Sequence, residues 1–260
     1  MNIPSPEILR HKTRLIKKSF QREGFLVTVG RLYTVIIDYL FDIWYGIDTR
    51  TKVQLSELKI DGVNKEKGFT YEPTRLVPLR KLFKKIKPMI PYDAVLVDIG
   101  CGKGRVLLGT LQMGFNEVRG IEFASELCAI AKENYSKYSS RKRLTTKYKI
   151  IESDVTDYRI NTDEKIFFFN NPFDENVLSK VLCNIEDSLQ LKHREILIIY
   201  HNAEYPRVFA QQDNFSRVKE INIYGYKFIV YSNLPTNNGI HAGAIHEDIR
   251  ALGVSGNNGT

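Results

Sequence analysis

From about Ala94 onward the sequence alternates short apolar runs with longer amphipathic stretches. The short runs have the length of buried β-strands, and the stretches between them have helical periodicity. Strands buried on both faces and separated by helices form parallel sheets that are covered on both sides. The pattern therefore predicts an α/β fold with a doubly wound, mostly parallel sheet.

Five of the runs are predicted to be parallel strands, with helices after the first, second and fourth and a short turn after the third. Two further runs lie close together and are joined by Gly225, an arrangement that predicts a terminal antiparallel hairpin. The predicted sheet thus has seven strands. In chain order they are AVLVDI, EVRGIEF, YKIIES, KIFFFN, EILIIY, VKEINIY and KFIVYS.

The residues before this region are predicted to be mainly helical. Apolar residues recur at helical spacing from Pro6 to about Tyr45, most densely between Leu26 and Trp44. A polar, turn-rich stretch follows, and RLVPLRKLFKKIKP then returns to a helical pattern. The expected divisions are an N-terminal helical cap and connector over residues 1–70, the domain that contains the sheet over 71–235, and a mobile tail over 236–260.

The apolar stretch from Leu32 to Ile47 is interrupted by Asp38 and Asp42. It is interpreted as a helix packed on the domain, with a partner-binding or membrane-surface helix as the alternative. No run reaches the ~18 uncharged apolar residues of a membrane span, and the N-terminus lacks the apolar core of a signal peptide. We therefore expect a cytoplasmic protein without a membrane span.

Composition narrows the class of protein only slightly. A chain of 260 residues with 43% hydrophobic residues has a substantial core. The formal charge of +8 favours acidic partners such as nucleic acid, anionic lipid or phosphorylated metabolites. The basic segments RKLFKKIK and SRKRLTTKYK are interpreted as solvated surfaces, with contact to a polyanion as the alternative. Cys101, Cys128 and Cys183 are widely spaced, which indicates neither a disulfide framework nor a metal site.

The sequence VLVDIGCGKGRVLL predicts a strand that runs into a glycine turn and then into a helix. Gly100, Gly102 and Gly104 allow a tight turn and the close approach of a ligand to the main chain. Dinucleotide-binding loops read G-x-G-x-x-G, whereas this loop reads G-x-G-x-G and is preceded by Asp98. A carboxylate there repels a pyrophosphate but suits a cationic ligand.

Two further acids follow the next two predicted strands. Glu122 ends the second strand 24 residues after Asp98, the separation expected of a carboxylate that binds a ribose diol. Asp154 follows the third strand, where it can accept a hydrogen bond from an adenine amino group. Phe123 and Val155 stand beside these acids and are assigned to the same pocket. The carboxyl ends of parallel strands form the ligand crevice of open α/β sheets, and a ligand that is at once nucleoside, amino acid and cation is S-adenosylmethionine (SAM).

The segments VDIGCGKGR, GIEFASEL and ESDVTDY resemble the successive SAM-binding motifs of the class I, seven-stranded methyltransferases. The resemblance covers residues from Tyr71 to Ser232 and implies a SAM-dependent methyltransferase domain. It also places Tyr71 and Thr74 where such enzymes close over the methionine part of SAM or over the acceptor; a turn stabilised by Pro73 is the alternative. A Rossmann-like domain that binds another nucleotide, including a nicotinamide-dependent oxidoreductase, is the alternative for the whole domain.

The fourth predicted strand ends in FFFNNPFDE. At this position, methyltransferases of conjugated amines carry an (N/D)-P-P-(Y/F) turn, whose first side chain accepts hydrogen bonds from the target NH₂ and whose aromatic ring stacks on the acceptor. Here Asn171 stands in place of the first proline, and the turn also resembles the Asn-Asn turn of the histone-lysine methyltransferases that lack a SET domain. Asn170, Asn171 and Phe173 are therefore predicted to shape the acceptor site, with Asn170 also close to SAM.

These observations predict methyl transfer to a nitrogen atom, with a protein side chain preferred as the acceptor. An adenine N6-type nucleic-acid methyltransferase and a non-catalytic scaffold that binds SAM or a nucleotide are the alternatives. His201, after the fifth strand, is interpreted as a structural residue, with proton acceptance as its alternative role.

Overall fold

The computed structural model describes residues 14, 18, 20–51, 53, 73–91, 93–170, 174–212 and 214–234. The predicted sites Tyr71, Asn171 and Phe173 lie outside these residues, as do most of the predicted connector and the tail at 236–260. Among the described residues, the helices with both ends defined are α1 Phe25–Tyr45, α2 Leu76–Ile86, α3 Arg105–Thr110, α4 Ser125–Ser139, α5 Glu175–Leu191 and α6 Pro206–Ala210, and a 3-10 turn spans Lys87–Met89. The strands are β1 Val95–Ile99, β2 Glu117–Glu122, β3 Lys147–Glu152, β4 Glu164–Asn170, β5 Leu197–His201, β6 Ser216–Ile223 and β7 Tyr226–Ser232.

The strands form one seven-stranded sheet in the order β3-β2-β1-β4-β5-β7-β6. Strands β1 to β5 are parallel, and β7 runs antiparallel to both β5 and β6. The predicted α/β class, the seven strands and the terminal hairpin are confirmed. The sequence did not indicate that β7, the last strand, lies between β5 and β6.

The three phenylalanines of β4 show why the central strands read as continuous apolar runs. Phe168 belongs to the core on one face of the sheet, with Leu96 and Ile199. Phe167 and Phe169 belong to the core on the opposite face, beneath α5. All three side chains are fully buried, because successive side chains of a strand point to opposite faces and both faces of this sheet are covered.

Helix α1 lies against the domain by a polar face. Its buried side includes Thr28, Thr34, Asp38 and Asp42, with Phe41 as the buried apolar side chain of the helix. The opposite side, which we call the outer face of α1, is almost entirely apolar and exposed. It consists of Phe25, Leu26, Val29, Leu32, Tyr33, Val35, Ile36, Tyr39, Leu40, Ile43 and Trp44.

The helix packs on the domain through its polar side because of the ion pairs described below. Among the described residues, no helix is both long and apolar enough to cross a membrane.

Candidate active site at the carboxyl ends of the strands

The glycine loop joins β1 to α3 and is bent back onto the tip of β2. Gly100, Gly102 and Gly104 have φ angles of 73°, 51° and 78°, in the left-handed region that side chains disfavour. The backbone N–H groups of Gly100 and Cys101 donate to the carbonyl oxygen of Ile121 at 2.9 and 3.0 Å. The loop therefore requires glycine for its backbone conformation and is fixed to the neighbouring strand.

Asp98 lies on β1 next to Gly120 of β2 and Phe168 of β4, and only 3% of its surface is exposed. No hydrogen bond from the described residues reaches its carboxylate. Burial raises the pKa of Asp98 well above its usual range, and the nearby charge of Glu122 raises it further. A buried acid of this kind is stabilised in its ionised form by a cationic ligand.

Glu122 at the end of β2 holds the glycine loop from the other side. Its carboxylate accepts hydrogen bonds from the backbone N–H groups of Gly102 at 2.9 Å, Phe123 at 3.0 Å and Ala124 at 3.0 Å. Burial raises the pKa of Glu122, and these three backbone bonds oppose the shift. Glu122 thus couples the loop after β1 to the turn after β2, while Phe123 remains half-buried beside it.

The two predicted site residues after β3, Asp154 and Val155, have different surroundings: one binds its own turn and the other lies in the core. Asp154 follows the strand, and its Oδ1 atom accepts hydrogen bonds from the backbone N–H and the hydroxyl of Thr156, both at 2.8 Å. The carboxylate therefore stabilises its own turn. Val155 is buried in the core on the α5 side of the sheet.

Asn170 ends β4 and pairs in register with His201 of β5. Because Phe169 aligns with Ile99 of β1, Asn170 lies level with the start of the glycine loop. Its Oδ1 atom accepts a hydrogen bond from Asn202 Nδ2 at 3.3 Å. The structure thus brings Asn170 to the same edge of the sheet as Asp98 and Glu122.

His201 is 2% exposed and stacks on Phe228, with ring centroids 4.4 Å apart. Neither ring nitrogen has a hydrogen-bond partner among the described residues. Burial lowers its pKa to about 3, so the imidazole is neutral near pH 7. An efficient general base has a pKa near the working pH, and this geometry therefore favours the structural interpretation of His201 over proton acceptance.

Thr74 precedes α2 and is 3% exposed. Its hydroxyl has no hydrogen-bond partner among the described residues. A buried hydroxyl without a partner costs free energy, and a ligand group or water that bonded to it would recover part of that cost.

The residues after α1 and the buried face of α1 support the glycine loop, a role that sequence reasoning missed. Lys103, 2% exposed, donates from Nζ to Asp48 Oδ2 at 2.6 Å. Asn134 of α4 donates to the backbone carbonyls of both Asp48 and Lys103. The loop is thereby tied to α4 and to the segment after α1 as well as to β2.

Arg105, at the start of α3, is the centre of a buried ionic cluster with α1. Its Nη2 atom donates to Asp42 Oδ1 at 3.2 Å, and its Nη1 atom lies 3.1 Å from Asp38 Oδ1 as an ion pair without hydrogen-bond geometry. Its Nε atom donates to the backbone carbonyl of Thr49 at 3.2 Å. The signal in the sequence was the spacing of Asp38 and Asp42, which places both on one side of a helix.

Together these residues fit SAM on physical grounds. Two buried acids with raised pKa values, Asp98 and Glu122, favour a ligand that carries positive charge. The left-handed glycines leave main-chain atoms free of side chains at the crevice where α/β sheets bind nucleosides.

A family model described as a methyltransferase domain matches residues 97–196. The matched segment begins within β1, contains the glycine loop and all three strand-end acids, and ends at the residue before β5. Residues 97–196 therefore carry a class I, Rossmann-like methyltransferase domain. The domain over these residues is that of a SAM-dependent methyltransferase.

Solved structures of methyltransferases are also similar to this chain, at low identity. A putative methylase from Haemophilus influenzae is 17% identical, with a TM-score of 0.45 over 61% of this chain and 89% of that one. The putative methyltransferase yhhF from Escherichia coli is 18% identical, with a TM-score of 0.48 over 62% and 88%. An RNA methyltransferase from Salinibacter ruber, in complex with S-adenosyl-L-homocysteine, is 15% identical, with a TM-score of 0.46 over 64% and 97%. Likeness at this level does not identify an acceptor, and the comparison with curated proteins found no significant match.

Proposed function

We propose that this methyltransferase transfers a methyl group to a nitrogen atom, and that the nitrogen belongs to a protein side chain. The observation that carries the proposal is the position of Asn170. It lies at the tip of β4, level with the glycine loop, and its carboxamide is oriented by Asn202. A carboxamide oxygen at this point can accept a hydrogen bond from an N–H group of the acceptor.

In this proposal Asp98, the glycine loop, Glu122 and Asp154 bind SAM, which supplies the electrophilic methyl group when bound. Thr74 and Asn170 are proposed to border that pocket. The fixed loop holds the two buried acids in one arrangement, and orientation of this kind supplies a large part of the acceleration in group transfer. Residues 71–235 would then form the catalytic domain, with residues 1–70 as its N-terminal extension.

The chemistry of the strand ends supports nitrogen over oxygen as the acceptor. A hydroxyl group must lose its proton to become a good nucleophile, and it needs a base with a pKa near the working pH. His201, the titratable ring nearest to Asn170 in the sheet, is held neutral and weakly basic by burial. A nitrogen acceptor that is already neutral attacks with its own lone pair and releases its proton afterwards. A lysine side chain, whose usual pKa is about 10.4, first loses one proton to solvent.

A protein side chain is preferred because the Asn-Asn-Pro-Phe sequence departs from the turn that stacks on planar amines. The second candidate acceptor is a nucleobase, which is favoured by the net charge of +8. The two acceptors are therefore compared in one assay.

The test is transfer of a radiolabelled methyl group from SAM to a cell extract divided into protein, RNA and DNA fractions. We expect label in the protein fraction, in a form stable to mild base, as N-methyl groups are and methyl esters are not. Asn170→Ala should lower the transfer rate at saturating SAM by about tenfold or more. Asn214→Ala is the matched control, because Asn214 precedes β6 at the opposite edge of the sheet.

Each contrary outcome is informative. Base-labile label would refute a nitrogen acceptor, and label confined to RNA or DNA would replace the protein side chain by the nucleobase. SAM binding without transfer to any fraction would favour the scaffold alternative.

A further inference from the structure

The outer face of α1 is an apolar surface of unusual size for a helix that already has a packed side. Ile36, Ile43 and Trp44 are 57%, 58% and 72% exposed. With 21 residues, the helix is roughly 32 Å long at 1.5 Å per residue. Exposed apolar surfaces that are continuous over such a length mark interaction sites.

The helix cannot bury this face by rotating about its axis without breaking the ionic cluster beneath it. Asp38 and Asp42 are bound to Arg105, and Asp38 also accepts hydrogen bonds from Arg75 and from the backbone of Leu76. Gly30 lies so close to the ring of Tyr224 that a Cβ atom would meet it at 2.2 Å. The polar side is therefore fixed inward and the apolar side outward.

Basic groups flank the outer face at both ends. Arg14, Lys18 and Arg22 precede the helix and are exposed. At its other end, Arg141 donates to the backbone carbonyl of Trp44, and Lys142 beside it is exposed. The two acids of the helix are paired with Arg105, and Glu23 before the helix is paired with Arg31, so the remaining flanking charge is positive.

A basic cavity adjoins the same end of α1. It has a volume of ≈ 390 Å³ and its lining includes Arg80, Lys84, Lys87 and Tyr138. Arg80 lies over the ring of Phe41 at 5.7 Å, and Tyr138 packs against Tyr45, so the cavity borders the last turns of the helix. Its basic lining suits an anionic group.

We propose that the outer face of α1 binds the surface of an anionic lipid bilayer, with its apolar side chains among the acyl chains and the flanking basic residues on the headgroups. A helix with one strongly apolar side and basic flanks lies in the plane of the membrane interface. Tyr33, Tyr39 and Trp44 have amphipathic rings, which favour the interface between the acyl chains and the headgroups. Each basic residue near such a surface adds to the attraction.

Charge also decides between a bilayer and a second copy of the chain. Pairing two outer faces would bring two sets of basic residues together, which is unfavourable. An anionic surface neutralises them. The proposal is independent of the methyl acceptor, because it concerns binding alone.

The experiment is binding of the full chain to vesicles of phosphatidylcholine alone or with about 30% phosphatidylserine, followed by sedimentation and by tryptophan emission. Trp44 is the only tryptophan of the sequence, so a blue shift of emission reports its transfer out of water. We expect a blue shift and cosedimentation with the anionic vesicles, both reduced by added salt.

Ile36→Glu and Ile43→Glu should each weaken binding at least about tenfold, because each places a carboxylate in the apolar surface. The matched control is Leu191→Glu, which alters an exposed leucine at the end of α5, on the other face of the sheet, and should leave binding unchanged. Near-UV circular dichroism checks that each variant is folded. Absence of binding to anionic vesicles, or equal loss with Leu191→Glu, would overturn the proposal. So would a dimer in analytical ultracentrifugation that Ile36→Glu dissolves, since the second copy would then be the occupant.

Discussion

Replacing Arg105 by methionine should be among the most destabilising single changes in this protein, and its effect can be worked out from the ionic cluster. Arg105 is 1% exposed, and the side chains of Asp38 and Asp42 are 0% and 5% exposed. Methionine keeps most of the aliphatic stem and removes the charge. Two buried carboxylates then lose a shared cation.

Breaking a buried ion pair by removing one partner costs about 3–5 kcal/mol. The loss of stability is reduced here because both carboxylates keep other partners. Asp38 Oδ2 still accepts a hydrogen bond from Arg75 Nη1 at 3.0 Å, and Asp42 still accepts two hydrogen bonds from Thr49. We therefore expect a loss near the lower value, about 3 kcal/mol. At about 2–4 °C per kcal/mol for a chain of this size, the melting temperature should fall by roughly 6–12 °C.

The assay is thermal unfolding followed by circular dichroism, with denaturant unfolding as the second measurement. Arg207→Met is the control, since Arg207 pairs with Glu175 at the surface, where ion pairs contribute little. It should leave the melting temperature unchanged within error. A fall of less than ~2 °C for Arg105→Met, or equal falls for the two variants, would refute the reasoning that the cluster fixes α1 to the glycine loop.

Two further predictions concern residues next to the site. In Gly120→Ala the new Cβ would lie 2.5 Å from Cys101 Sγ and 2.6 Å from Leu107 Cδ1. We therefore expect overpacking to lower the free energy of unfolding by about 1–3 kcal/mol, measured by denaturant unfolding, and to weaken SAM binding, measured by titration. Unchanged stability and affinity would contradict the close packing beneath the loop. Burial lowers the pKa of His201 to about 3 in the folded state, whereas an unfolded histidine has a pKa of about 6.5. Between these two pH values the unfolded chain binds more protons than the folded one. The free energy of unfolding should therefore fall as pH drops below about 6.5, by up to roughly 1.4 kcal/mol per pH unit. His201→Phe, which retains stacking on Phe228, should remove that part of the slope in acid-unfolding curves, and an unchanged slope would show that His201 is not the group responsible.

Much of the fold could be predicted because its signals are local. The central strands are buried on both faces, so β1 and β4 read as continuous apolar runs. The glycine loop shows in the sequence because its backbone needs positive φ angles, and the acids after it mark successive strand ends. The order of Asp98, Glu122 and Asp154 along the chain therefore indicated a common edge of the sheet, where the structure places them.

The rest depends on contacts between residues far apart in the chain. Periodicity predicted α1 but not which side it buries, because the decisive partner of Asp38 and Asp42 is Arg105, more than sixty residues away from either. In the same way, nothing near Asp48 indicates that it holds Lys103. The insertion of β7 between β5 and β6 is likewise a property of the whole sheet.

The measurement that tests the central claim most directly is isothermal titration of the folded protein with SAM, for the wild type and for Asp98→Asn, across pH 5 to 8. Because the pKa of Asp98 is raised by burial, a cationic ligand should bind more tightly as pH rises and should release protons. We predict micromolar binding by the wild type, and at least about tenfold weaker binding with less proton release by the variant. The melting temperature of the variant should not be lower, since a buried carboxylate is removed. Failure of the folded wild type to bind SAM, or equal binding by Asp98→Asn, would contradict the account.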